Sequence, residues 1–284
     1  MSAVRYVAPL RDTIDSQVFA RMPLAGWCEF SDLLEAPGWP SIDALAARLP
    51  PDAPVRFAVQ TRELLADGLH YEQRIAERGV IATRERNWHD LFNALVWLRF
   101  PGLKRALNAR QAAEIAHMGS KRRSRAQYAL THFDEAGVVV GLRDPSLLAL
   151  WDAHDWHGLF WRERPAWRDG RIEAAVFGHA LLEHALSPQR LLVGKALVVV
   201  LAQGMSVSAA IDACATNIRD GDLLRDPLEL RPLPLSGIPG WHQDGEAEAF
   251  HRSAPCYQAL RAGRTYPAPL LLGSKHPALR ARLG

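Results

Sequence analysis

The stretch Thr83–Leu98 reads TRERNWHDLFNALVWL and joins a helix start to a nearly unbroken apolar run. Asn87 stands at the predicted N-cap, and Asp90 follows three residues later, as in a capping box. Pro101 ends the helix, because the residue before a proline avoids the helical region. Apolar side chains surround most of this helix, so we predict a buried element with polar residues in its first turn.

The polar residues of that first turn need partners if they are buried. His89 and Asn93 are four residues apart and share one face of the predicted helix. A histidine in this position could ligate a metal, act as a general acid or base, or hydrogen-bond across the core. For Asn87 and Asp90 the expected role is capping. The interpretation as a functional site therefore rests mainly on His89.

Outward from this helix, apolar periodicity and turn residues predict further helices and a few strands. Helices are predicted over 103–117, 171–186, 194–203 and 206–218, a strand over 55–59, and a β-hairpin in which 128–134 and 138–140 flank Glu135-Ala136-Gly137. The expected fold class is α+β, predominantly helical, with a β-hairpin and a Pro/Gly-rich C-terminal arm. We expect a single domain over 1–284, on which residues 226–284 pack as an extended arm.

Two distant segments carry polar residues that could join His89. His179 and Glu183 are four residues apart in the predicted helix 171–186. At this spacing two side chains can ligate one ion or form a His–Glu pair. Asp134 ends the first hairpin strand, where it could complete a site with both histidines or bond its own backbone at the turn.

Composition narrows the class of protein. The 284 residues include 34 Lys and Arg against 31 Asp and Glu, a net charge of +3, and a dedicated nucleic-acid binder usually shows a clear basic excess. The basic run Lys121–Arg125 could hold a phosphate or touch nucleic acid, but we expect a solvated loop. Cys28, Cys214 and Cys256 have no paired spacing, which favours a reducing compartment over a thiolate metal site.

Targeting and motif signals are absent from the sequence. The N-terminal region lacks the apolar core of a signal peptide, and the run Ala196–Ala202 is too short to cross a bilayer. We therefore expect a cytoplasmic protein without membrane association. A phosphate loop, a dinucleotide-binding glycine motif and a Gly-x-Ser-x-Gly elbow are all missing, which excludes several common enzyme classes.

Several motifs of the chain resemble a bacterial family catalogued as a domain of unknown function, number three thousand and twenty-five. The motifs are Tyr71-Glu72, Thr83-Arg84, Asn87–Asn93, Phe100-Pro101, Leu107-Asn108, Leu130–Glu135, Phe177–Leu181 and Gly237–Trp241. One departure is Arg125-Ala126-Gln127, where an Arg-Asp pair is expected. The resemblance implies no activity. It implies that the family's motif positions include Arg84, His89, Asp90, Asn93, Asp134 and His179.

The leading hypothesis is a metal-dependent or acid–base hydrolase that acts on a small molecule. Its site would lie between the start of the opening helix, the hairpin and the helix that carries His179. The catalytic residues or ligands of a divalent metal would be His89, Asp134 and His179, the substrate-binding residues Arg84 and Asn93, and the residues that orient a histidine Asp90 and Glu183.

Two alternatives stay open beside this hypothesis. In the first, the chain is a non-catalytic binding or adaptor protein whose buried polar residues are structural. In the second, which we rank below it, the basic loop 121–125 binds nucleic acid. The sequence leaves the substrate and the oligomeric state undetermined.

Overall fold

The computed structural model describes residues 6–119 and 122–273. Its α-helices are α1 (Ser31–Leu34), α2 (Ile42–Ala46), α3 (Arg62–Leu65), α4 (Tyr71–Arg78), α5 (Trp88–Arg99), α6 (Pro101–Met118), α7 (Arg125–Ala136), α8 (Leu148–Asp152), α9 (Arg164–Arg168), α10 (His179–Ala185), α11 (Val207–Asp220) and α12 (Glu248–Ser253). Its strands are β1 (Arg56–Val59), β2 (Val80–Thr83), β3 (Gly137–Leu142), β4 (Ile172–Val176), β5 (Val193–Leu201), β6 (Arg231–Pro234) and β7 (Leu270–Leu272). The predicted α+β, predominantly helical class is confirmed.

The larger sheet is built around strand β5. Strand β3 pairs parallel to β5, with Val139 opposite Leu197, and antiparallel to β4 on its other side. Strands β6 and β7 share the remaining edge of β5, at residues 193–196 and 199–201. Strands β1 and β2 form a separate parallel pair. All of β3 and most of β5 are buried, as expected of strands covered on both faces.

The helix predicted over 194–203 is wrong, because this segment is strand β5. A short run that is apolar on every side gives the same pattern for a buried helix and a buried strand. Here the β-branched Val198, Val199 and Val200 and the neighbouring strands favour the strand. The helix predicted over 171–186 is likewise divided into β4 and α10.

The β-hairpin predicted over 128–140 is also wrong, because residues up to Ala136 belong to helix α7. Ser124 and Gln127 form a reciprocal capping box that starts this helix. Gly137 has a φ of −69° and begins β3 in an extended rather than left-handed conformation. Tertiary packing thus outweighs the strand propensity of this segment. The buried side chains recur at helical spacing, namely Ala126, Ala129, Leu130 and Phe133.

Several predicted boundaries are confirmed. The Asn87 side chain accepts a hydrogen bond from the Asp90 backbone N–H at 3.0 Å, which caps α5. Helix α5 ends before Pro101, and helix α6 ends at Met118 with Gly119 as its C-cap. The predicted strand over 55–59 and the helix over 206–218 correspond to β1 and α11.

The junction between α7 and β3 lies against the start of α10. The backbone N–H groups of Phe177 and Gly178 both donate to the carbonyl of Gly137, at 2.9 and 2.8 Å. A Cβ atom at Gly178 would lie 2.4 Å from Ala136 Cα and 2.5 Å from Gly137 N. Glycine is therefore required for this approach, which brings His179 close to the last residues of α7.

We expect Gly178→Ala to lower the free energy of unfolding by about 3 kcal/mol, because a Cβ forced against backbone cannot be relieved by a rotamer change. Chemical denaturation measures the effect. Gly102→Ala is the matched control, since no atom lies within 4 Å of its Cβ position in helix α6. It should leave stability unchanged or raise it by up to about 1 kcal/mol. Wild-type stability in Gly178→Ala would contradict the close approach.

The segment after Asp226 contributes β6 and β7 to the larger sheet. The last residues of the predicted arm, 274–284, lie outside the described residues. The organisation as one domain with an arm over 226–284 stays a prediction. Within residues 6–119 and 122–273, none of the helices combines the length and the hydrophobicity needed to span a bilayer.

Candidate metal centre

Three helix ends meet beside the junction of α7 and β3. His89 is the second residue of α5, Glu135 is the penultimate residue of α7, and His179 is the first residue of α10. Helices α5 and α10 pack against each other, and α10 also contacts α7. Chain segments that are distant in sequence therefore direct three potential ligands to one point, and we refer to these three residues as the candidate metal centre.

The distances within the candidate metal centre suit one metal ion. His89 Nε2 lies 3.1 Å from His179 Nε2, which in turn lies 3.6 Å from Glu135 Oε2. The three ligand atoms all lie within 4.8 Å of one another. Tetrahedral zinc with bonds of 2.0–2.1 Å separates its ligand atoms by about 3.3 Å. Small side-chain adjustments would therefore bring all three atoms into coordination.

The opposite nitrogen of each histidine faces a carboxylate. His89 Nδ1 lies 3.1 Å from Glu183 Oε2. His179 Nδ1 lies 3.8 Å from Asp134 Oδ2 and is buried without a hydrogen-bond partner among the described residues. Metal-bound histidines usually donate their second N–H to such a carboxylate, which fixes the tautomer and the orientation of the ring.

This pairing favours a cation between the two rings. If each Nδ1 carries its proton towards its carboxylate, the lone pairs of the two Nε2 atoms face each other across 3.1 Å. That contact is repulsive unless a positive charge lies between the nitrogens. In the other tautomer of His179, the unprotonated Nδ1 would face the carboxylate of Asp134 in a buried position. The donor set therefore fits a cation between the two Nε2 atoms, either a divalent metal ion or the proton of a positively charged His89, a form that Glu183 favours.

The electrostatic surroundings keep His179 neutral. Burial lowers the pKa of His179 to about 3, although the charge of Asp134 acts in the opposite direction. Burial also acts to lower the pKa of His89, but the hydrogen bond that its Nδ1–H donates to Glu183 and the charge of Glu135 outweigh burial and raise the pKa. His179 is therefore held in the neutral form that ligates metals, whereas a metal would have to displace a proton from His89.

Lys104 connects the candidate metal centre to a buried polar network. Only 5% of its side chain is exposed, and its Nζ donates to Asn93 Oδ1 at 2.9 Å and to Asp134 Oδ1 at 2.7 Å. Asn93 Nδ2 donates to the hydroxyl of Tyr71 at 2.8 Å. Burial opposes the ionisation of Asp134, but the Lys104 ammonium outweighs it and holds the pKa of Asp134 below its ordinary value. The network thus keeps the Asp134 carboxylate ionised beside Nδ1 of His179.

Two cavities adjoin the candidate metal centre, and Glu135 lines both. The outer cleft, of about 880 Å³, is lined by residues that include Tyr6, Arg84, His89, Glu135, Glu183 and Arg190. The inner cavity, of about 260 Å³, is lined by residues that include Tyr71, Glu72, Lys104, Asn108, Asp134 and Glu135. Because His89 and Glu135 both line the outer cleft, a ligand in this cleft would reach the candidate metal centre directly.

A family model described as Protein of unknown function (DUF3025) matches residues 55–261. The chain belongs to the DUF3025 family. This confirms the family predicted from the sequence motifs. No curated protein and no solved structure matches the chain. The matched range includes His89, Glu135 and His179, so the candidate metal centre lies entirely within the family domain of this DUF3025 protein.

The structure brings together only part of the site that the sequence predicts. His89 and His179 meet, and Glu183 contacts His89 as a residue that orients a histidine would. Asp134 faces Nδ1 of His179, on the side of the ring away from His89. Glu135, rather than Asp134, joins the two histidines.

The remaining predicted residues have other partners. The Asp90 side chain accepts hydrogen bonds from the backbone N–H of Arg84 at 2.6 Å and from its Nη2 at 2.7 Å, so it neither completes the predicted capping box with Asn87 nor orients a histidine of the centre. The Arg84 side chain stays 51% exposed and lines the outer cleft. Asn93 faces the Lys104 network instead of the outer cleft.

Sequence reasoning missed Glu135 and Lys104. The Ser124-x-x-Gln127 capping box was the available signal for Glu135, because it marks the start of a helix whose last turn carries this residue. Lys104 follows the break at Pro101 in helix α6, and a lysine predicts exposure more often than burial.

The basic run Lys121–Arg125 is only partly described, since Lys121 lies outside the described residues. Arg123 donates to Thr131 Oγ1 at 2.8 Å, and Arg125 is paired with Asp226. These intramolecular contacts engage two of its charges. Nucleic-acid binding by this loop remains the alternative ranked last.

Proposed function

We propose that this DUF3025 protein is a metal-dependent hydrolase with one divalent ion, zinc being favoured, bound by His89, Glu135 and His179. The observation that carries the proposal is the convergence of the three ligand atoms, with a carboxylate behind each histidine. Two histidines and one glutamate form a ligand set found in catalytic zinc sites, which leave a fourth position to a water molecule. A divalent ion held by these residues would supply Lewis-acid chemistry, which activates water and polarises a carbonyl near neutral pH.

The protein's own residues have distinct tasks in this proposal. Glu183 holds the ring of His89, and Asp134, kept ionised by Lys104, faces the ring of His179. Arg84 offers a guanidinium at the outer cleft for an anionic part of the substrate, while Asp90 fixes its position. The ligands come from helix ends rather than flexible loops, which suits a preorganised centre.

The test begins with the protein stripped of metal by a chelator. We expect one zinc ion to bind per chain and to raise the melting temperature, because a ligand that binds only the folded state stabilises it by about 2.7 kcal/mol at one hundred times its Kd. His89→Ala should not bind the ion. His117→Ala, which replaces an exposed histidine of helix α6, is the matched control and should bind as wild type does.

Hydrolysis is then measured on a panel of small esters and amides with zinc-loaded and stripped protein. Activity that returns with zinc supports the proposal. If zinc, manganese and iron(II) neither bind nor raise the melting temperature, the proposal fails. The residues of the candidate metal centre would then have a structural role. Tight and selective binding of iron(II) with activity that requires dioxygen would also overturn hydrolysis, since two histidines and a carboxylate can bind iron in oxygenases.

A further inference from the structure

The wall of the outer cleft carries positive charge beyond the candidate metal centre. Arg84 and Arg190 both line this cleft. Arg84 is paired with Asp90, whereas Arg190 forms no ion pair with any acidic residue in the described ranges 6–119 and 122–273. The acidic residues of the cleft, Glu135 and Glu183, are directed at the histidines. A molecule that enters the cleft therefore meets two guanidinium groups in addition to the residues of the candidate metal centre.

Arg190 is exposed, and its backbone and its guanidinium are each restrained by a neighbouring contact. Its backbone N–H donates to the carbonyl of Ser187 at 3.0 Å, in the turn that follows helix α10. Its guanidinium carbon lies 4.7 Å from the ring centroid of Tyr6, and the Tyr6 hydroxyl donates to the carbonyl of Glu183 at 3.0 Å. Stacking on an aromatic face restrains a guanidinium and leaves its edge N–H groups free for an oxyanion in the same plane.

From this arrangement we infer that the substrate carries a second anionic group, a carboxylate or a phosphate, which Arg190 binds while the hydrolysed bond lies at the metal. The guanidinium edge matches both oxyanions through two parallel hydrogen bonds. A cleft of about 880 Å³ has room for a small molecule that spans both points. The inference rests on the proposed function, because the first group must lie at the metal, and it adds the chemical class of the substrate.

Binding of simple anions to the zinc-loaded protein tests this inference without a substrate. The probes are straight-chain dicarboxylates from malonate to adipate, each compared with the monocarboxylate of the same chain length. A monocarboxylate can bind only the metal or the arginine, whereas a dicarboxylate of matching length can bind both. We expect an advantage of at least about 10-fold in Kd for the dicarboxylate at the matching length, which corresponds to roughly 1.4 kcal/mol.

Two arginine variants assign the effect. Arg190→Gln should abolish the dicarboxylate advantage and leave the zinc affinity unchanged. Arg105→Gln, an exposed arginine of helix α6 away from the cleft, should retain the advantage. At the matching length, a carboxylate replaced by a phosphonate distinguishes the two substrate types by whichever anion binds more tightly.

The outcomes separate this inference from the proposed function. Zinc binding without a dicarboxylate advantage at any length would overturn the inference alone. An advantage that persists in Arg190→Gln would overturn it too, because another group would then bind the second anion. Failure of zinc to bind would overturn the proposed function and the inference together.

Discussion

Replacing Glu135 by glutamine is expected to weaken zinc binding by more than about 100-fold, beyond the 10–100-fold range typical of residues that contact a ligand rather than the metal. Glu135 supplies the only carboxylate oxygen of the candidate metal centre. Glutamine keeps the shape of the side chain but removes the negative charge that the cation would bind. The Kd is measured by competition with a chromophoric chelator.

Asp134→Asn is the informative comparison, because it separates the ligand that the structure indicates from the one that the sequence suggested. Asp134 lies 3.8 Å from His179 Nδ1, on the side away from His89, so its loss should weaken zinc binding by only about 10–100-fold. Glu77→Gln, an exposed glutamate of helix α4, should leave the affinity unchanged. A larger effect of Asp134→Asn than of Glu135→Gln would show that Asp134 is the metal ligand after all.

Lys104→Met is expected to lower the free energy of unfolding by about 3–5 kcal/mol, the usual effect of removing one partner of a buried ion pair. Methionine replaces the aliphatic stem but not the ammonium group. Asp134 Oδ1 and Asn93 Oδ1 would both lose a donor, at 2.7 and 2.9 Å respectively, in a site where Lys104 is 5% exposed. Chemical denaturation of the metal-free protein measures the change.

A double-mutant cycle tests whether the effect comes from the pair. Lys104→Met combined with Asp134→Asn should destabilise the protein less than the sum of the single variants, because the buried charge left by the first change is removed by the second. Lys195→Met is the control for removing a lysine that has no ion pair. This half-buried lysine pairs with no carboxylate in the described part of the chain, and burial lowers its pKa. Additive effects at Lys104 and Asp134 would contradict the ion pair as the cause.

Local signals predicted those parts of the fold whose structure depends on neighbouring residues. The side chain of Asn87 caps α5, Pro101 and Gly119 bound the helices around it, and Ser206 caps α11. These features follow from short-range hydrogen bonds and backbone restrictions, which a linear sequence displays directly. The prediction failed at β5, most of which is buried, since an apolar run without a polar face shows no period.

The sequence prediction named Asp134 rather than Glu135 because it assigned this segment to a β-hairpin instead of helix α7. In the predicted hairpin, Asp134 ended a strand and its neighbour belonged to a turn. In helix α7 the two residues are adjacent but rotated by about 100° from each other. Asp134 therefore faces Nδ1 of His179, whereas Glu135 approaches Nε2 of the same ring, on the side of His89. Because the segment is a helix and not a strand followed by a turn, Glu135 rather than Asp134 lies at the candidate metal centre.

The sequence by itself determined the caps and limits of helices such as α5, the polar character of its first turn, and the family motifs that contain His89 and His179. Only the tertiary structure decided that residues 193–201 form the central strand, that Glu135 joins the histidines, and that Lys104 lies behind them. The physical reason is how far apart in the sequence the interacting residues lie. Caps and turns are satisfied within a few residues, whereas strand pairing and the convergence of three helix ends depend on contacts between segments far apart in the chain.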